Sequence, residues 1–296
     1  MLKKLILLCA LVMLITIAGC NNNHTEQGDS VISGDDVSTI DVDAPTSINP
    51  ADYVDISYID FPDAPSEYQE ILNEYRIYTD CTFAVKEKYG KNIMWDKFEY
   101  DNEIIKFGEI QKEWLWLNIL ILQSENKDDF GYGLKDINGD GSPELFLMTT
   151  NNKYHFIDVW EIYLICQGEP IHLFRFAERQ RCEKIDEDGT IHYYGSGGAT
   201  SGCFESYQIA KGGDSISLEG IDVCGETDFS TDPPSTFMRY AYYSNDDLKN
   251  NFFDSRDSLE KKELNAKEGE LIYQRLSGYE SSGNVAPFID FIPLFK

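Results

Sequence analysis

The 296-residue chain sets 52 acidic residues against 25 basic ones, a formal net charge of −27. Such a surface repels polyanions, which excludes nucleic acid as a partner, and it attracts cations. With 42% apolar residues, among them 18 Tyr and 17 Phe, the chain can bury a substantial core in one or two domains.

The chain opens MLKKLILLCALVMLITIAGC: Lys3 and Lys4 precede an apolar run from Leu5 to Ile17, and Ala18 and Gly19 lead to Cys20. This is the pattern of a secretory signal, and its apolar run falls short of the roughly 20 residues that cross a bilayer. The ending IAGC resembles the lipobox of bacterial lipoproteins, which implies cleavage before Cys20 and a diacylglycerol on its thiol. Residues 1–19 are then the signal peptide, and membrane lipid is a partner through Cys20. The mature chain is extracytoplasmic, anchored to the bacterial cell membrane without spanning it, because each buried methylene contributes roughly 0.8 kcal/mol. Removing the signal takes away two lysines and no acid, so the mature chain is more acidic still.

Residues 20–63 are rich in Asn, Asp, Ser, Thr, Gly and Pro, and their few apolar residues keep no period. They read as the lipidated Cys and a disordered tether, leaving residues 64–296 as the folded ectodomain. Helical texture begins near Pro65. Ser66 with Gln69 reads as a capping box, Tyr68, Leu72, Tyr75 and Thr79 keep helical spacing, and Gly90 is a stop. A second stripe, Phe107, Ile110, Trp114, Leu117 and Ile121, predicts another helix packed on the core.

After Asp129 the pattern shortens. FGYGL and ELFLMTT flank an acidic loop, and three hairpins are predicted around QGEP, DEDG and KGGD, the second with Asp188-Gly189 at its left-handed positions. The C-terminal third turns charged and helix-like from Asp246 to Leu276, and PFIDFIPLF ends the chain as an extended apolar segment. The predicted fold class is α+β: N-terminal helices packed on an antiparallel β-meander, with a helical C-terminal segment. Of the cysteines outside the signal and its lipidation site, Cys81, Cys166, Cys182, Cys203 and Cys224 make no C-x-x-C spacing; the compartment permits disulfides whose pairing the spacing leaves open, most readily among Cys182, Cys203 and Cys224, and small buried hydrophobes are the favoured reading.

The acidic loop DINGDGSPEL carries the sharpest chemistry. Counted from Asp136, Asn138 stands at position three, Asp140 at five, Gly141 at six, the Ser142 carbonyl at seven and Glu144 at nine. Alternate oxygens can wrap a hard cation while the Gly permits the sharp turn. Position twelve is Leu147, so the loop lacks the bidentate Glu of a helix–loop–helix calcium hand. Asp136, Asn138, Asp140 and Glu144 resemble, one for one, the calcium loop of FG-GAP and VCBS-type repeats, which lies between two strands. Those families repeat the loop around a propeller; here it occurs once, so the resemblance implies a structural calcium ion rather than a propeller. More broadly, the single loop with downstream strands and a GSGG segment resembles secreted lipoproteins of Gram-positive anaerobes. The competing reading is a solvated turn without an ion, since Asp, Asn and Gly dominate turns.

The glycine-rich segment Tyr194, Gly195, Ser196, Gly197, Gly198 is the candidate ligand loop, because glycine lets a partner approach the backbone closely. Neither Ser196 nor Ser201 sits in G-x-S-x-G, and His24, His155, His172 and His192 make no metal spacing. No catalytic residue is assigned. The expected function is therefore a binding or interaction module for an unknown extracellular ligand or protein. A secreted hydrolase with an unrecognised acidic active site is the alternative.

Overall fold

Ile59 and Phe61, placed by composition in the tether, are clipped instead to the first helix. The computed structural model describes residues 47–90, 99–100, 117, 121, 124–151, 156–175, 180–196, 200–231, 233–248, 259–278 and 289–295. All of these fall in one compact unit, residues 43–296. A short strand β1 (Ser47–Ile48) pairs in parallel with β2 (Glu99–Tyr100). An extended stretch then leads to helix α1 (Gln69–Tyr89). The Gln69 amide donates to the carbonyls of Phe61 and Ala64 and accepts the Phe61 N–H, while Asn73 exchanges two bonds with the Ile59 backbone. Arg76 donates to the Ser57 carbonyl at 2.6 Å. Positions i, i+4 and i+7 of one helix face thus satisfy the backbone of residues 57–64, and Phe61 and Ile48 are buried. Residues 47–63, expected by composition to be tether, are thus part of the folded unit, and backbone-directed amides leave no hydropathy signal of it. The expected capping box does not form: Gln69 serves this clip, and Pro65 caps the preceding 3-10 turn, Ser66–Tyr68. Gly90 ends α1 as expected, at φ +84, with its N–H donating to the Lys86 carbonyl.

Eleven further strands follow. They are β3 (Phe130–Lys135), β4 (Glu144–Asn151), β5 (Phe156–Cys166), β6 (Glu169–Arg175), β7 (Gln180–Ile185), β8 (Ile191–Ser196), β9 (Ser201–Ile209), β10 (Ile216–Asp228), β11 (Ser235–Leu248), β12 (Lys262–Leu264) and β13 (Ile292–Pro293). They form two sheets, one ordered β13-β3-β4-β5-β6 and the other β12-β11-β10-β9-β8-β7, antiparallel throughout. Helix α2 (Ala266–Ser277) lies between β12 and β13 in sequence.

Three apolar clusters stack these elements into layers. Tyr68 at the N-cap of α1, with Leu72, Tyr75 and Tyr78 of the helix, packs on Leu145, Leu147, Trp160 and Tyr163 of the five-stranded sheet. The opposite face of that sheet, Phe146, Met148, Ile162 and Leu164, meets Ile191, Tyr193, Tyr207 and Leu218 of the six-stranded sheet. Beyond it, Ile221, Val223, Tyr240 and Phe204 receive Leu276, Ile272 and Tyr273 of α2. The order is helix, sheet, sheet, helix.

The α+β expectation is therefore corrected. The molecule is mainly antiparallel β-structure, and the two α-helices described from end to end each cover one outer sheet face. Of the second predicted helix, Leu117 and Ile121 are helical and buried in the first core, and its other positions lie outside the described residues. Among the described residues of the region expected to be helical from Asp246 to Leu276, 246–248 end strand β11, Lys262–Leu264 form β12, and Ala266–Ser277 form helix α2. Charged strands at a sheet margin carry the same texture as a solvated helix, so composition alone misassigns them.

Candidate functional site

The acidic loop closes largely on its own backbone. Asp136 accepts the N–H of Gly139 at 2.7 Å and that of Gly141 at 2.9 Å. Asn138 accepts from Asp140 at 3.0 Å, and Asp140 accepts from Ser142 at 2.7 Å. Gly139 and Gly141 supply the left-handed turns at φ +73 and +98. Glu144 differs from these acids. As the first residue of β4 it is only 1% exposed, and it accepts the Ile137 N–H at 2.8 Å. Burial first, with Asp140 and Asp136 adding repulsion against the pull of backbone N–H groups, pushes its carboxyl up to about 7. A carboxylate so placed requires a counter-charge, either a proton or a cation.

Three layers meet at this loop. The Tyr68 hydroxyl, on the α1 side, donates to the Pro143 carbonyl at 3.0 Å and to that of Tyr163 at 3.3 Å. Ile137 connects to the other sheet: its side chain packs on the inter-sheet core and its carbonyl oxygen lies against Gly189 in the β7–β8 turn. Lys135, Asp136 and Ile137 face Ile185, Asp186, Glu187 and Gly189 across a cavity of about 190 Å³. Asp186 is itself held by Lys184 at 2.5 Å and by His192 Nε2 at 2.7 Å. His192 is thus a packed sheet residue that orients a turn.

The loop's donors fit a hard cation in kind. Each oxygen that takes one N–H keeps a second lone pair, and carboxylate, amide and backbone oxygens are the ligands that calcium accepts. Among the described residues, no group of three or more His, Cys, Asp or Glu side chains is gathered in a metal-binding cluster.

The glycine-rich segment contributes to a second concavity. Across β8, β9 and β10 the register aligns Gly195 with Cys203 and Asp222, Ser196 with Gly202 and Val223, and Ser201 with Cys224. These residues line a cavity of about 330 Å³. Of the predicted ligand loop, Gly195 and Ser196 reach this cavity, whereas Tyr194 stacks on Phe204 with ring centroids 5.0 Å apart. Gly197 and Gly198 lie outside the described residues. Gly195 is required by packing, since an added Cβ would come within 2.7 Å of the Cys203 sulfur.

Asp222, which sequence reading overlooked, supplies the cavity's carboxylate. Lys261 donates to its Oδ2 at 2.5 Å and lies 5.0 Å from the Tyr243 ring centroid. Tyr243 gives its one hydroxyl proton to the fully buried Glu205, which accepts from Tyr207 as well, and its oxygen lies 3.3 Å from Oδ1 of Asp222. Burial, with Glu205 and Asp222 adding negative charge, drives the Tyr243 phenol far above its ordinary range, so it stays a donor. Only strand register places Asp222 opposite Cys203; their spacing along the chain carries no sign of it.

The expected disposition of the cysteines holds for Cys81, Cys166 and Cys182, which are buried; Cys203 is half-buried and Cys224 exposed, and all are free of disulfides. No helix among the described residues is long and apolar enough to cross a membrane. Compared with known protein families, curated proteins and solved structures, the chain shows no significant match to any of them.

Proposed function

We propose that the chain is a lipid-anchored, extracytoplasmic binding module whose ectodomain is stabilised by calcium at residues 136–144. Buried Glu144 carries this reading. Its carboxyl, pushed up to about 7 beside Asp136 and Asp140, is the group in the loop that backbone donors leave ill-compensated. Asp136, Asn138, Asp140, the Ser142 carbonyl and Glu144 would hold the ion, which supplies the counter-charge that joins the two strand ends. The Cys20 anchor rests on the N-terminal sequence, which lies outside the described residues.

The cavity walled by Gly195, Ser201 and Asp222 offers the binding reading a concave site. The calcium test is a pair of thermal melts of the full chain, in calcium and in chelator. At ten times its dissociation constant the ion should add about 1.4 kcal/mol, a rise in Tm of roughly 3 to 5 °C. The rise should vanish in Asp136→Ala combined with Asp140→Ala; equal melts for the unaltered chain would remove calcium from the proposal.

A further inference from the structure

The β10–β11 hairpin exposes Phe229 in its turn at 81%, and Phe237 and Met238 of β11 at 47% and 43%. Neighbours on a strand point to opposite faces, so Phe237 and Met238 are covered together only by a partner added at the strand's edge.

That edge is open. β12 pairs with β11 at Tyr240–Tyr242, and among the described residues no strand pairs with the outer side of Ser235–Arg239, all of which are exposed. The Gly225 N–H donates to the Thr200 carbonyl at 2.6 Å, on the β9 side. Alternate residues turn their N–H and C=O to opposite sides, so Cys224 and Glu226 turn to Arg239 and Phe237 across the β10–β11 register. Thr236 and Met238 therefore turn theirs outward. Edges are ordinarily blunted by a bulge, a charge or a proline. Here the register runs unbroken from Ser235 to Asn245, and that stretch holds no acid. Its one charge, Arg239, is engaged by Glu226 and Glu263.

The open edge also matches itself. Pro234, with no N–H to give, precedes the strand, and Leu264 of β12, paired with Tyr240, closes the edge at the other end. Phe237 is the centre of what remains. A second copy running antiparallel about that centre sets Thr236 opposite Met238 of the other copy, their outward N–H and C=O groups bonded in both directions, and Phe237 opposite Phe237. A net charge of −27 opposes self-association, and this pairing brings no acid opposite an acid. We propose that the chain dimerises by antiparallel pairing of its β11 edges about Phe237, which joins two six-stranded sheets into one. Neither the calcium loop nor the lipid anchor enters this pairing.

Sedimentation velocity of the full chain, over a series reaching about 0.5 mM, should show a monomer–dimer equilibrium of the weak kind that short interfaces give. Met238→Pro removes an outward N–H, which a lone edge strand tolerates, and Phe237→Lys sets like charges opposite each other. Both should keep the chain monomeric throughout the series; if Met238→Pro melts early, Phe237→Lys decides. Cross-linking by diamide tests the register, in a Cys224→Ser background that removes the exposed thiol. Phe237→Cys should give a covalent dimer, because a non-hydrogen-bonded pair stands about 4.5 Å apart between Cα atoms, within reach of a disulfide. Ser235→Cys should not, since its two copies stand roughly 14 Å apart along the strands. The proposal is overturned if the chain stays monomeric, which would leave the edge to a foreign extended peptide. It is equally overturned if the dimer survives Phe237→Lys, or if Ser235→Cys cross-links as readily as Phe237→Cys.

Discussion

Glu144 sits where its chemistry and its fold pull in opposite directions. Its side chain closes the loop by accepting the Ile137 N–H, yet burial beside two other acids raises its carboxyl from an ordinary 4.5 to about 7. Because the folded value is raised, the folded chain holds this proton more tightly than the unfolded one does. Stability from that proton is fully present below about 4.5 and is lost as pH climbs through about 7. In chelator, the Tm of the full chain should therefore fall across this window, and Glu144→Gln, which keeps an acceptor for Ile137 but does not titrate, should flatten the fall. Calcium should flatten it too, since the ion replaces the proton as counter-charge. A slope identical in wild type and Glu144→Gln would show that the carboxyl is not the source. At this scale the spacing of the loop acids was legible in the sequence. The burial of one of them was not, because it depends on Tyr68 and on strands that meet only in the folded chain.

Turns with local chemistry were the most legible elements. The QGEP, DEDG and KGGD hairpins form where glycine supplies positive φ, at Gly168, Gly189 and Gly213. Their long-range consequences were hidden. Gly168 and Gly189 share nearly the same backbone, φ +83 and +82, but an added Cβ meets open space at Gly168, whereas at Gly189 it falls 1.9 Å from the Ile137 carbonyl oxygen. The pair separates backbone cost from contact cost. Gly168→Ala should lose only the left-handed penalty, about 1–2 kcal/mol, and Gly189→Ala should lose clearly more, with the excess measuring how the β7–β8 turn abuts the acidic loop. Equal losses in denaturant melts would mean that the turn and loop separate freely. Strand β11 shows the opposite failing. Tyr240 and Tyr242 point toward the α2 side and Tyr243 toward the inter-sheet core, a usable alternation, but the acids and Ser–Asn steps at its end mask it.

Across the whole molecule, the division of one predicted meander into two sheets was not written in any local pattern. Apart from β13, which returns from the C-terminal end of the chain to pair with β3, each sheet is a run of sequential antiparallel neighbours, and the switch falls between β6 and β7, where strand texture does not change. What is legible globally is charge. A chain of net charge −27 has no electrostatic hold on an anionic bilayer, so under the proposed reading the lipid at Cys20 is the whole attachment. Acyl chains bind through methylenes, at roughly 0.8 kcal/mol each, and are indifferent to ionic strength. The full chain expressed with its signal should therefore stay with the membrane fraction through a high-salt wash and leave it in detergent. Cys20→Ala should appear in the soluble extracytoplasmic fraction with its calcium-dependent melt unchanged, since the substitution lies outside the folded unit of residues 43–296. Retention of Cys20→Ala on the membrane, or release of the wild type by salt alone, would replace the lipid by some other attachment.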